Sequence, residues 1–566
     1  MSESVQKWLE RNRPPCVKIT YDVETGGAIE KRELPFIVGI LANLSGDRSD
    51  AVAQPCYSQR TMMNIDRDNF NDVMATAQAM VSLDMVQRTL PKESSDDADT
   101  LGGVLHFTSL DDFTPLAVAR AVPALNRLLQ QRAQRVQGGQ PSTDIDALLG
   151  SQLRAILHAR NFQALEATWR GLHGLVVNTE TNTLLQLRVF NATQDEVHDD
   201  LEKAVAFDQS HLFKLIYEAE FGTYGGLPYS LLVGGYEVGR SAQAISFLQN
   251  MAELAAAAHA PFITAASASL FGFDSFRDLP KPRDLSKIFE SSDMIGWNVF
   301  RNSESSRYVS LVLPHVLLRL PYGKDSGPTE GLDFDELGGD PPSAPRPEHL
   351  LWGNAVYALA QRITNAFSHY QWTAAIRGME GGGRVEGLPL YGYPNEAGAQ
   401  TLLCPTEVPI SDQREKELGD LGFISLCHVK GTGVAAFFNA QTASLPKAYM
   451  SDEANANTRL SALLPYMLAA CRFAHYIKVI MRNKIGSCLT RGNVEAYLNG
   501  WISNYVLLDE NASQEAKASY PLSQAKIVVS DIPGSPGAYR AVVFLRPHFQ
   551  LEELSTSMRL VVHLPT

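Results

Sequence analysis

Cysteine is scarce in this chain of 566 residues: Cys16, Cys56, Cys404, Cys427, Cys471 and Cys488 are the full set. No two stand in CxxC spacing. That excludes the usual zinc and dithiol motifs, and the low density speaks for free thiols in a reducing cytoplasm. Equally absent are HExxH, GxSxG and the P-loop pattern. Basic residues are outnumbered, 49 Lys and Arg against 62 Asp and Glu, for a formal net charge of -13. No basic stripe stands out, so no nucleic-acid partner is expected. Long clean apolar runs are missing too. "AAAAHAPFITAASASLFGF" is interrupted by His259 and Pro261, and "LLPYMLAACRFAHYIKVIM" by Pro465, Arg472, His475 and Lys478. No membrane insertion is expected from either. The opening "MSESVQKWLERNR" is polar throughout, unlike a secretory leader.

What is present reads as globular α/β protein, too long for one ordinary core. "PPCVKITYDVETGG" carries a seven-residue alternation. Val17, Ile19, Tyr21 and Val23 point one way; Lys18, Thr20 and Asp22 point the other. That period predicts a half-buried strand, close to a terminus and without an obvious partner. "ELPFIVGILANL" is continuously apolar, as a strand covered on both faces would be. "DDFTPLAVARAVPALNRLLQQRAQRV" predicts a helix with Thr114 as N-cap and Pro115 at its first position. "QGGQPSTD", residues 137–144, is the best domain boundary. Beyond it, Leu153, Ile156, Leu157, Phe162, Leu165, Trp169 and Leu172 fall at helical spacing, with Trp169 a core anchor. "TLLQLRVFNA", "YSLLVGGYE", "APFITAAS" and "RYVSLVLP" predict strands between helices. The acidic, Gly- and Pro-rich stretch from Gly323 to His349 predicts an exposed loop. Leu460, Leu463, Leu464, Met467, Leu468 and Cys471 form one helical stripe, with Pro465 in its first turn or at a kink. "AKIVVSDI", "YRAVVFLRP" and "MRLVVHLP" place strands at the other end of the chain.

Candidate chemistry is thin. "GTGVAAFFNA" resembles a dinucleotide fingerprint, but Val434 to Phe438 continue as a strand where a helix is required. Glu380 among glycines could form an anion nest, although a connecting loop is the simpler reading. Glu218 and Glu220 could do acid–base work, with helix-end carboxylates as the default. His158, His173, His259, His315, His369, His428 and His475 form no ligand cluster by spacing. No catalytic residue, metal site or cofactor is assigned, and an enzymatic role is not expected.

The longer segments carry a resemblance. "WLERNRPPCVKITYDVETGGAIEKRELPFIVGILANLSG" and "FTSLDDFTPLAVARAVPAL" resemble the small sheath protein of type VI secretion systems, TssB. "FQALEATWRGL", "FDQSHLFKLIYEAEFGTYGGLPY", "LRLPYG", "LLWGNAVYALA", "LGFISLCHVKGTGVAAFFNAQTA" and "PGAYRAVVFLRPHFQLEELSTSMRLV" resemble the large sheath protein, TssC. The resemblance implies a TssB-like part over 1–136, a linker over 137–144 and a TssC-like part over 145–566. The implied fold is mixed α/β sheath domains with extended terminal strand arms. The implied role is a cytoplasmic contractile-sheath subunit. Its partners would be other copies of itself in a helical polymer, an inner tube of hexameric rings and a baseplate. The family leader recognised by a ClpV-type AAA+ unfoldase has no obvious counterpart, which puts recycling by that route in doubt.

The resemblance also implies strand exchange between subunits. The donor would be Val17, Lys18, Ile19, Thr20, Tyr21, Asp22 and Val23. Acceptor strands would include Ile527, Val529, Val542, Phe544, Met558, Leu560 and Val562. Glu24 to Leu34 would be a flexible tether with its hinge at Gly26 and Gly27. Each ladder hydrogen bond contributes about 0.5–1.5 kcal/mol, against about 1–2 kcal/mol to order each arm residue. One arm is therefore only modestly favourable, and repetition along a lattice supplies the rest. The Leu460 to Arg482 helix could face the inner tube through Arg472, Lys478 and Arg482; a core helix with a solvated edge is favoured. A non-contracting scaffold, or an α/β enzyme with a site near Glu220 or Glu380, are the alternatives.

Overall fold

The computed structural model describes residues 21–25, 28–47, 55–91, 99–204, 207–281, 283–323, 329, 331–338, 345–394, 399–447, 449–450, 455, 458–459, 461–484, 490–509, 511–532, 539–548 and 558–563. In chain order the strands are β1 (Tyr21–Thr25), β2 (Ala28–Arg32), β3 (Phe36–Ala42), β4 (Met63–Ile65), β5 (Ala79–Ser82), β6 (Val104–Phe107), β7 (Leu185–Asn191), β8 (Tyr229–Val238), β9 (Phe262–Ala266) and β10 (Val309–Leu313). Then come β11 (Val316–Leu317), β12 (Trp352–Gly353), β13 (Arg384–Val385), β14 (Gly392–Pro394), β15 (Gln400–Leu402), β16 (Phe423–His428), β17 (Ala435–Phe437), β18 (Leu522–Asp531), β19 (Tyr539–Pro547) and β20 (Met558–His563).

Nine of them form one sheet in the order β13-β17-β16-β10-β9-β8-β3-β7-β4. The six from β16 to β7 in that order run parallel, and antiparallel strands finish both sides. The apolar run "FIVGILA" is β3, and all seven residues are buried. It lies between β7 and β8, so both of its edges are paired. Its side chains serve both faces. Phe36, Val38 and Ile40 join one core with Trp169, Leu172 and Tyr357. Ile37 and Leu41 join the other with Phe247, Phe262 and Phe423. Helices cover both sides, as a parallel sheet requires.

A strand from the first 50 residues is thus central to a sheet built mainly from residues beyond 180. The stretch read as a domain boundary joins two helices that pack together, Pro123–Gln137 and Thr143–Leu157. Arg132 Nε reaches Asp146 Oδ1 at 2.5 Å across it. The intervening residues are a short connection within one core, and Asp144 already belongs to the second helix.

Several local expectations hold. Thr114 is the N-cap and Pro115 the first residue of a helix, which ends at Ala121 because Pro123 starts the next. Trp169 is fully buried and donates from Nε1 to Leu44 O at 3.0 Å. Close helix approach is secured by Gly171, where a Cβ would sit 2.5 Å from a Tyr357 ring carbon. The expectation of an exposed loop from Gly323 fails in part. Leu332, Phe334 and Glu336 are buried, because the Glu336 carboxylate is needed inside to complete an ion cluster around Arg319.

Candidate assembly interface

The C-terminal residues form a second, smaller sheet, β18-β19-β20, antiparallel throughout. Strict alternation sorts its side chains. Ile527, Val529, Ala541, Val543 and Leu545 are buried, while Lys526, Ser530, Arg540 and Phe544 are exposed. The inner residues pack with Tyr476, Ile477, Val494, Leu498, Trp501 and Tyr505. Burying each Val, Ile or Leu there contributes about 1.5–3 kcal/mol. The register sets Lys526 opposite Phe544 and Val528 opposite Val542. On the far side Phe544 meets position 559 and Val542 meets 561. Of the residues assigned to acceptor strands, Ile527 and Val529 therefore face the core. Val542 is half-buried and Phe544 exposed. Met558, Leu560 and Val562 lie on β20 opposite Leu545, Val543 and Ala541.

The helix Leu464–Asn483 lies under this sheet. Pro465 sits in its first turn, and every residue from Leu464 to Ile477 is buried. A helix buried on all sides over about four turns runs through the interior, its Arg472 and His475 included. Leu464 and Leu468 join the core of the large sheet, whereas Tyr466, Phe473 and Ile477 join that of the small one. The expected solvated edge is therefore shorter than its sequence implies, since Arg472 and His475 are buried too.

Arg472 explains itself at the other end of the chain. Its Nη2 donates to Leu34 O at 2.7 Å and its Nη1 to Pro35 O at 3.4 Å. Tyr476 Oη accepts from Leu34 N at 2.8 Å. The guanidinium carbon lies 4.8 Å from the Phe367 ring centre and 5.7 Å from that of Phe36. Burial lowers the Arg472 pKa, opposed by Tyr476 and Glu33. The same buried setting pushes Tyr476 up to about 12. One helix thus holds Leu34 and Pro35 and carries the C-terminal sheet.

Just before Leu34 lies an antiparallel hairpin. Tyr21 pairs with Arg32, Asp22 with Lys31, Val23 with Glu30, Glu24 with Ile29, and Thr25 with Ala28. This corrects two expectations. The strand is not alone, and most of the supposed tether is its partner β2. The physical reason is local: a strand folding back on the next residues closes only a very short loop. Val17, Lys18, Ile19, Thr20, Gly26 and Gly27 lie outside the described residues.

The remaining candidates do not assemble chemistry. Glu220 is held by Arg188 at 2.5 Å and by Leu227 N at 2.7 Å, Glu218 is exposed, and Glu380 stands on an exposed turn. Among the described residues no group of three metal-capable side chains comes together. Cys56, Cys404, Cys427 and Cys471 are free thiols. Among the described residues no helix is long and apolar enough to cross a membrane.

Two charged clusters were not legible by spacing. His315 Nδ1 is 2.5 Å from Glu407 and Nε2 is 2.8 Å from Glu237. Burial disfavours its charge, but the two carboxylates prevail and raise its pKa to about 10. An imidazolium donating from both nitrogens is a clasp and can serve neither as base nor as ligand. Arg319 reaches Glu166 and Glu336, each at 2.7 Å, with both carboxylates buried. Burial would raise the Glu166 pKa; Arg319 and Arg170 override it and hold it below the ordinary value.

Comparison with known proteins settles the lineage. The family described as EvpB/VC_A0108, tail sheath N-terminal domain, matches residues 141–444. The tail sheath gpW/gp25-like domain of the same description matches residues 453–564. A third family, type VI secretion system VipA, VC_A0107 or Hcp2, matches residues 9–164. The type VI secretion system sheath protein TssC1 of Pseudomonas aeruginosa is 45% identical over 425 residues, spanning 75% of this chain and 84% of that protein. This chain belongs to the type VI secretion sheath family. The sheath protein TssB1 of the same organism is 40% identical over 131 residues, 23% of this chain and 72% of that one. One polypeptide therefore joins a TssB-like to a TssC-like part, and it is a structural subunit of a contractile sheath. A chain in the baseplate of the anti-feeding prophage is also similar, at 12% identity and a TM-score of 0.36, covering 69% of this chain and 80% of that one.

Proposed function

We propose that this sheath subunit polymerises by strand exchange, with the N-terminal ribbon of one copy joining the β18–β20 sheet of another. The observation that carries the reading is the placement of both ribbons. Neither β1–β2 nor β18–β20 pairs with the nine-stranded sheet, and both are fixed to the Leu464–Asn483 helix side of the core. Strand addition to a sheet edge supplies main-chain hydrogen bonds, and a head-to-tail contact repeats without limit. The donated element is a hairpin with one edge of β1 already used, so exchange takes the other edge together with residues 17–20. Gly26 and Gly27, in sequence between β1 and β2, then act as the hinge of the Glu24 to Leu34 tether. Residues 1–136 take the small-subunit role and 145–566 the large-subunit role, joined through 137–144.

The polymer in this reading is a cytoplasmic tube around hexameric inner rings, contracting when a baseplate triggers it. The work comes from two packings of the same subunits, with no catalytic step. Full-length protein should form hollow tubes by negative-stain microscopy, and Ile19→Pro with Tyr21→Pro should leave folded, unassembled subunits. Tubes of normal yield and length from that variant would sink strand exchange. A sheath that polymerises but does not shorten is the second reading, and two tube lengths under a trigger separate it from the first.

A further inference from the structure

The two outer edges of the C-terminal sheet are not equivalent. Asn499 Nδ2 donates to Ile527 O at 2.7 Å, and Ile527 N donates to Asn499 Oδ1 at 2.9 Å. Val529 N donates to Glu495 Oε2 at 2.8 Å. Arg491 Nη1 adds a contact to Asp531 Oδ2 at 3.3 Å. All three side chains come from the helix Arg491–Ser503, at steps of four residues, against strand positions at steps of two. Four helical residues rise about 6.0 Å, and two strand residues about 6.6–6.8 Å. An antiparallel helix laid along the strand therefore keeps pace with it over this length.

In an antiparallel ladder, alternate residues turn both backbone groups the same way. On β18 the groups of Ile527 and Val529 turn away from β19, to the edge where an added strand would bind. A carboxamide presents a donor and an acceptor in one plane, as a peptide unit does. Asn499 thus occupies the place of an incoming peptide group, and Glu495 takes the next donor. Among the described residues, no strand pairs with β20 beyond β19.

We propose that Glu495 and Asn499 close the outer edge of β18, so that a second copy's strand is accepted only at the outer edge of β20. The inference rests on the strand-exchange reading and adds to it the edge and the residues that choose it. Polymer growth then has one direction, since a sheet open at both edges could bind two donors and branch.

Cross-linking in assembled full-length tubes tests this. Two tagged copies are co-expressed, both with Cys16 and Cys56 replaced by Ser. One carries Asp22→Cys. The other carries Lys526→Cys, Val528→Cys or Ser530→Cys on β18, or Arg559→Cys, Val561→Cys or His563→Cys on β20, positions that the register places on one face. Disulfide-linked heterodimers confined to the β20 set are expected. Heterodimers through β18 with Glu495 and Asn499 intact overturn the inference while leaving strand exchange standing. Tubes without a cross-link at either edge overturn both. In Glu495→Ala with Asn499→Ala, cross-links at β18 should appear. A folded double variant that gains none shows that these side chains only support the helix, and the inference fails. Asn499→Asp, which keeps the acceptor for Ile527 N and loses the donor to Ile527 O, is the milder variant should the double one not accumulate.

Discussion

The nine-stranded sheet and the three-stranded C-terminal sheet differ in how much of themselves they finish. In the large sheet β3 is paired on both edges and buried on both faces, and helices cover both sides. In the small sheet one face is buried on two helices, while Lys526, Ser530, Arg540 and Phe544 stand exposed on the other. The N-terminal hairpin also stands apart from the large sheet: among the described residues its strands pair only with each other. The lesson is a division of labour. Stability resides in a closed core; in the strand-exchange reading proposed above, valence would reside in the ribbons outside it, where added strands cost the core nothing and subunits could shift while remaining linked.

Breaking the closed region should have the largest effect. Arg319→Met removes, among the described residues, the only arginine on the buried Glu336 carboxylate and leaves the buried Glu166 to Arg170 alone. It should lower stability by about 3–5 kcal/mol, read as a fall in the urea midpoint of unassembled protein. Replacing both glutamates by Gln in the same chain should recover part of that loss. Next comes the junction between the regions. Arg472→Met leaves Leu34 O and Pro35 O without their charged donor and should cost about 1.5–3 kcal/mol. It should also raise hydrogen exchange in β1–β2 more than in β3; equal rises would mean that Arg472 serves the core and not the arm.

The His315 clasp sharpens the contrast through pH. Its folded pKa is raised from 6.5 to about 10. Its contribution is therefore fully present below about pH 6.5 and is lost as pH climbs through about 10. Urea midpoints of wild type and His315→Gln should differ at neutral pH and converge in alkali. A gap that persists above pH 10 would contradict the assignment. The smallest stability change belongs to the open region. Phe544→Ser should stay within about 0.5 kcal/mol of wild type, yet reduce tube yield in sedimentation if the exposed face is covered by a neighbour.

The strands of the large sheet were legible because buried parallel strands write continuous apolar runs, and "FIVGILA" and "YSLLVGGYEV" do so. The alternation of β18 and β19 was legible for the complementary reason, one wet face and one dry. Charged groups misled. Arg472 and Glu336 look like surface residues in the sequence, and both are buried because their partners, at Leu34 and Arg319, are supplied from elsewhere. Asn499 and Glu495 carry no motif at all. Their meaning appears only when their helix lies along β18.

Sequence alone determined the element types, the lack of local catalytic motifs, the strand-forming ends and the two-part family character. The first three follow from period, composition and motif spacing, which act over neighbouring residues; the family character rests on the resemblance of long segments, matched by the family models. Tertiary structure decided that the parts share one sheet and which side chains hydrogen-bond along the outer edge of β18. Those outcomes depend on contacts between residues tens to hundreds of positions apart, such as Leu34 with Arg472 or Glu166 with Arg319. No local pattern encodes them, because burial of a charge or a strand edge is settled by whatever arrives to meet it.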